Sequence, residues 1–151
     1  MKEIYILLNN VRSAFNVGSI FRTADAIGVK KIFLSGFTPY PPDSKLDKTA
    51  LGAIDFVDWE YNRDIIFTLD KIKSLDIPIY SVEQSDRSLI YTDLSYPNKL
   101  CIVMGNEISG VEQEILDVSD KIVEIPMYGK KNSLNVSVAF GVIAYHIKNF
   151  S

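Results

Sequence analysis

Three stretches carry residue types and spacings that could do chemistry. The first, Asn9–Val29, reads NNVRSAFNVGSIFRTADAIGV. It sets Asn16 and Arg22 six residues apart, nearly two helical turns, so both face one crevice only if the helix lies along it. Gly18 between them lets another chain or a ligand come close. A purely structural account has Asn16 capping the helix and Arg22 paired with Asp25 on the next turn. The second stretch, MGNEISG at Met104–Gly110, follows an apolar run. Its glycines allow backbone N–H groups to meet a ligand, though the pattern is neither a dinucleotide fingerprint nor a P-loop. Glu107 within it is either an orienting acid or base, or part of a tight turn. That turn would precede a helix starting near Val111, with Glu112 and Glu114 in its first turn. The third, IPMYGKKNSLNVSVA at Ile125–Ala139, offers Ser133 and Asn135 as helix caps. Lys130 and Lys131 there either neutralise a phosphate or are simply solvated.

The elements that position these stretches follow from hydrophobic pattern. Ile4–Leu8, Ile32–Leu34, Leu100–Met104 and Ile122–Ile125 are short apolar runs without helical period, the pattern of buried strands. Phe56–Tyr61 alternates weakly and reads as another strand. Pro78–Val82 reads as one with proline at its first position, where a missing N–H is tolerated. Asn16 caps a helix over Val17–Ile27, and Gly28 ends it. Gly36–Asp47, with Pro39, Pro41 and Pro42, is a loop long enough to be functional. Lys48–Ala53 reads as a helical turn. Ile65, Ile66, Leu69, Ile72 and Leu75 mark Asp64–Leu75 as an amphipathic helix. Gln84–Asn98 is polar and irregular. Ser133, Leu134 and Asn135 open a final helix that is apolar nearly all round, from Leu134 to Ile147. A helix with no wide polar face is buried in the core or against a partner, and this modest core favours a homodimer built on it. Alternating strands and helices give an α/β fold with a mainly parallel sheet and helices on both faces.

At 151 residues the chain, 1–151, reads as a single domain. Its hydrophobic fraction of 47% and charged fraction of 23% are those of a soluble globular protein. Nothing near the N-terminus resembles a signal peptide, and the last helix is too short and interrupted to span a bilayer. The lone Cys101 sits in an apolar run, a small buried hydrophobe suited to a reducing cytoplasm. One histidine and one cysteine build no zinc site of the usual kinds, so no metal is expected. The net charge of −3 argues against a polyanionic partner, but its distribution is uneven. Residues 121–151 hold four basic groups against one acidic, and residues 61–120 five against eleven. A local basic patch beside Arg12, Arg22, Lys45, Lys48, Lys130 and Lys131 is therefore compatible with an acidic whole.

Taken together and in this order, the three stretches resemble the SpoU-type (TrmH-like) RNA ribose 2′-O-methyltransferases of the SPOUT superfamily. The resemblance covers nearly the whole chain. It rests on Asn16, Gly18, Arg22 and Thr23, then Gly105, Glu107 and Gly110, then Pro126, Ser133, Leu134, Asn135, Ser137 and Ala139. KTALGA at Lys48–Ala53 fits the same family, whereas the added RNA-binding domain of larger members is not seen.

The resemblance implies a C-terminal trefoil knot whose loops bind S-adenosylmethionine. Carried over by position, Val82, Gly105, Ile125, Ser133 and Leu134 would surround the cofactor. It implies a dimer through the C-terminal helix, with the active site at the interface. The acceptor would be a ribose 2′-hydroxyl of tRNA or rRNA, and DNA, which lacks that group, would not be a substrate. Arg22 would be the activating residue. A guanidinium stays protonated, so gripping the adjacent phosphate is a sounder role than that of a base. Glu107 and Asn135 would fix Arg22 or the ribose, and Asn16 would position the nucleotide. The competing expectation is an RNA-binding or assembly protein that keeps the fold without the activity.

Overall fold

The computed structural model describes residues 1–150. Seven strands form one sheet: β1 Glu3–Asn9, β2 Lys31–Ser35, β3 Trp59–Asn62, β4 Ile79–Val82, β5 Leu89–Ile90, β6 Lys99–Met104 and β7 Lys121–Glu124. Their order is β3-β2-β1-β6-β4-β7-β5, and every pairing is parallel. The helices are α1 Ala14–Ile27, α2 Ser44–Ala50, α3 Ile65–Ser74, α4 Gln113–Val118 and α5 Val136–Phe150, with a 3-10 turn at Ala53–Phe56.

The continuous apolar runs are explained by burial on both faces. In β1, Ile4, Ile6 and Leu8 join one core with α1, α2 and α5, while Leu7 joins the other with α3 and α4. In β6, Leu100, Ile102 and Met104 face the first core, and Cys101 and Val103 the second. Cys101 is fully buried, and that burial pushes its thiol pKa upward.

Several boundaries differ from expectation. The α1 helix starts at Ala14, three residues before Val17, and its cap is Ser13, whose side chain accepts from the Asn16 N–H. Asn16 is thus in the first turn rather than at the cap. Gly28 does end this helix in the left-handed region, φ 71. Part of the Gly36–Asp47 loop is helical, because Asp43 accepts from the N–H groups of Lys45 and Leu46 and so nucleates α2. The third strand begins at Trp59, since the 3-10 turn occupies its expected start. Two residues of Gln84–Asn98 form β5 because they find β7 as a partner. The α4 helix starts at Gln113, and β7 ends at Glu124, leaving Ile125 to the following loop.

Gly18 is needed for helix packing. A Cβ there would lie 2.2 Å from the Leu46 carbonyl oxygen and 2.1 Å from Thr49 Oγ1, so what comes close is α2. Gly18→Ala gains helix propensity but forces α1 and α2 apart. A net loss of about 2 kcal/mol is expected in urea denaturation. An unchanged midpoint would show that the two helices can separate freely.

Candidate active site

In a parallel sheet the loops at the carboxyl ends of the strands share one rim. Here the loops after β4, β6 and β7 enclose a cavity of about 470 Å³. That falls in the range of small-molecule sites. Val82, Gly105, Ile125, Ser133 and Leu134 all line it, as do Glu107 and Asn135.

The loop after β6 is built from its glycines. Asn106 and Gly110 exchange backbone hydrogen bonds at 3.0 and 2.9 Å, and Asn106 Oδ1 accepts from the N–H groups of Ile108 and Ser109. Gly105 and Gly110 meet back to back: a Cβ on Gly105 would lie 2.5 Å from the Gly110 carbonyl. Gly110 has φ +76, and its bare Cα leaves room for the Glu83 carboxylate. Glu83 Oε2 accepts from the Val111 N–H at 2.9 Å and braces the loop from β4.

Glu107 reaches out of this loop to the start of α1. Its Oε1 accepts from the Arg12 N–H at 2.8 Å. Its Oε2 accepts from the Ser13 N–H at 2.9 Å and from Asn16 Nδ2 at 3.1 Å. Burial works to raise the Glu107 pKa, but these three donors outweigh it and hold the carboxyl below its ordinary value. The same three bonds make Glu107 an anchor between the glycine loop and the start of α1.

The chain of bonds continues. Asn16 Oδ1 accepts from Asn135 Nδ2 at 3.1 Å, and Asn135 Oδ1 caps α5 at Ser137 N and Val138 N, 2.9 and 3.3 Å. Of the two expected helix openers, Asn135 is the cap, while Ser133 lines the cavity. Both asparagines are oriented, and each amide keeps one N–H uncommitted. Glu107, Asn16 and Asn135 thus form one array at the cavity edge.

Arg22 is not part of it. It lies exposed on α1, outside the cavity lining, and forms no ion pair with Asp25 or any other carboxylate among the described residues. Sequence reasoning also missed Glu83, Gln84 and Glu124 in the lining. The signal was available, since each sits at or just past the end of a strand on the same rim. Gln84 Nε2 donates to the Asn132 carbonyl at 2.7 Å and ties the β4 and β7 loops together. Peptide N–H groups from Ile125 to Leu134 enter no hydrogen bond within the described residues.

Glu107→Gln is expected to cost about 1 kcal/mol at pH 7, a charge-assisted value reduced for solvent screening. Because the folded-state pKa is lowered, this stability is present above the ordinary glutamate value and is lost as pH falls through the lowered one. Urea denaturation should show a wild-type advantage at pH 7 that narrows at an acidic pH below the ordinary glutamate value. An equal gap at both pH values would mean that charge is not involved.

The sequence model for the SpoU rRNA Methylase family matches residues 3–145. Two tRNA (guanosine(18)-2′-O)-methyltransferases are each 32% identical to the chain. That of Aquifex aeolicus matches over 95% of this chain and 68% of its own length, and that of Escherichia coli K12 over 95% and 62%. A crystal structure of an AdoMet-bound rRNA methyltransferase from Sinorhizobium meliloti superposes with a TM-score of 0.86 at 27% identity. It covers 97% of this chain and 56% of that one. The chain thus spans roughly three-fifths of the length of such relatives.

Proposed function

The chain belongs to the SpoU rRNA Methylase family, and on that premise we propose that it transfers the methyl group of S-adenosylmethionine to a ribose 2′-hydroxyl of tRNA or rRNA in the cytoplasm. The observation that carries this reading is the Glu107–Asn16–Asn135 array standing at the edge of a cavity lined by Val82, Gly105, Ile125, Ser133 and Leu134. The cavity suits the cofactor in two ways. Uncommitted peptide N–H groups in the loop after β7 match the edge of an adenine, which needs backbone partners more than polar side chains. The charged residues in the lining are Glu83, Glu107 and Glu124, with no lysine or arginine, a balance that favours a cationic sulfonium.

When bound, the cofactor supplies an electrophilic methyl group; the protein's part is placement. A ribose hydroxyl is a weak nucleophile until its proton leaves or is strongly polarised. The free amide N–H groups of Asn16 and Asn135 are aimed to hold sugar oxygens, where they would stabilise the charge that develops on attack. Arg22, always protonated, grips the neighbouring phosphate and lowers the hydroxyl's pKa, with a phosphate oxygen or water accepting the proton. Arg22 lies outside the cavity lining of its own protomer, and a second copy would present it to the array of its partner. Leu134, Val138 and Tyr145 make an exposed apolar stripe on α5 and the turn before it, and Gly141 faces Thr23 of α1, one residue from Arg22. Docking α5 on its symmetry mate would cover that stripe and bring α1 of one protomer toward the cavity of the other. The trefoil threading of the C-terminal part belongs to the same reading.

Calorimetry with S-adenosylmethionine, followed by methyl transfer to bulk tRNA and rRNA, tests the reading. Cofactor binding without transfer would favour the inactive RNA-binding alternative. Arg22→Ala should reduce methylation by a factor of about 100 or more while leaving cofactor affinity within about twofold. Wild-type turnover in that variant would refute the role. Val138→Asp, at a position 51% exposed in the protomer, should keep the fold and shift sedimentation from dimer to monomer, with loss of methylation. A monomeric wild type with full activity would refute the shared site.

A further inference from the structure

The loop after β2 has no part in the reaction described above, yet it is held by a set of hydrogen bonds to three strands and their loops. Gly36 (φ +64) donates its N–H to the Arg63 carbonyl at 3.2 Å, and its carbonyl accepts from the Tyr61 hydroxyl at 2.5 Å. Thr38 is 2% exposed, shares its one hydroxyl hydrogen between the Ser35 carbonyl at 2.7 Å and the Leu8 carbonyl at 3.1 Å, and accepts from the Val11 N–H. Asn10 sits in the left-handed region, φ 56, and accepts from the Phe37 N–H at 3.0 Å through Oδ1. A side chain at Gly36 would collide with that amide. Three residues beyond Phe37, the Tyr40 ring stacks on Tyr61 with centroids 4.0 Å apart.

Phe37 itself is left out of this order. It is 60% exposed and has no aromatic partner among the described residues, although its backbone is held on both sides. A single exposed apolar ring is ordinary on a protein surface; one carried on a hydrogen-bonded backbone at a site rim is less so. The same Asn10 that holds Phe37 accepts from Asn106 Nδ2 at 2.8 Å through its carbonyl, which ties this loop to the cavity loop. The ends of β2 and β6 are two strand spacings apart, about 10 Å. Exposed Arg12 and Arg63 follow the two strands that flank β2, and neither forms an ion pair among the described residues. An exposed aromatic face between free guanidinium groups is the arrangement that holds a single nucleic-acid strand, with the ring under a base and the cations on its phosphates.

We propose that Phe37 is a stacking platform for an unpaired base of the RNA substrate, one or two nucleotides from the methylated ribose, with Arg12 and Arg63 on the flanking phosphates. This rests on the ribose-methylation reading and adds to it the side of the site along which the strand runs. It also implies that the strand is unpaired there, since a base must leave its helix to lie on a side chain.

The test uses the full chain with two probes, a fluorescein-labelled oligouridylate and bulk tRNA. Phe37→Ala should weaken binding of both by roughly five- to hundredfold, and raise KM for tRNA more than it lowers kcat. Affinity for S-adenosylmethionine should stay within twofold, and Phe37→Trp should restore RNA binding. The salt dependence separates the two kinds of contact. Phe37→Ala should leave the slope of log affinity against log salt unchanged, and Arg63→Ala should reduce it by about 0.7. RNA affinity of Phe37→Ala equal to wild type would overturn the proposal. So would a shift of that variant from dimer to monomer, which would assign the ring to subunit contact. Failure of the wild-type protein to bind any RNA would instead overturn the methylation reading, and this one with it.

Discussion

The carboxylate of Glu107 joins two parts of the chain that are nearly a hundred residues apart. It takes the N–H groups of Arg12 and Ser13 and the amide of Asn16, all at the mouth of α1. Helix mouths favour negative charge, because unpaired N–H groups and the helix dipole converge there. The glycine loop after β6 can deliver that charge because Gly105 and Gly110 let its two limbs close on each other. Once Glu107 is placed, Asn16 is oriented, Asn135 follows, and with Asn135 the start of α5. One electrostatic contact therefore sets the relation between the first and last helices of the domain.

This contact also explains which parts of the structure were legible in the chain of residues. The central strands were, because burial on both faces leaves a run such as Leu100–Met104 wholly apolar. So was the asymmetric end of α1 at Gly28, which depends on local backbone geometry alone. The start of α1 was not. Ser13 and Asn16 are both good caps, and the choice between them is consistent with a carboxylate from a distant loop holding the N–H of Ser13. The start of α2 was hidden behind three prolines, although Asp43 announced it; only its last residues, Lys48–Ala50, fell within the expected helical turn.

The site divides the same way. The five cavity residues at Val82, Gly105, Ile125, Ser133 and Leu134 lie together because strand order puts their loops on one rim. Glu83, one residue past β4, was overlooked because its task is to brace a loop, and bracing leaves no local pattern. Gly18 gave a correct sign of close approach, but its partner, the Leu46 carbonyl, could be identified only in three dimensions. Arg22 is the opposite case. Its residue type suits the chemistry, while within one chain it lies exposed on α1, outside the cavity lining.

Cys101 lies in β6, the strand that ends in the cavity loop, with no exposed surface and a thiol that burial disfavours from ionising. A thiol reagent can reach it only when that central strand opens, so its rate of modification is a clock for the opening of the sheet. Any small molecule that binds the closed cavity must slow that clock in proportion to its occupancy. The protein thus carries an intrinsic, label-free gauge of ligand affinity, readable by mass spectrometry without any assay of turnover.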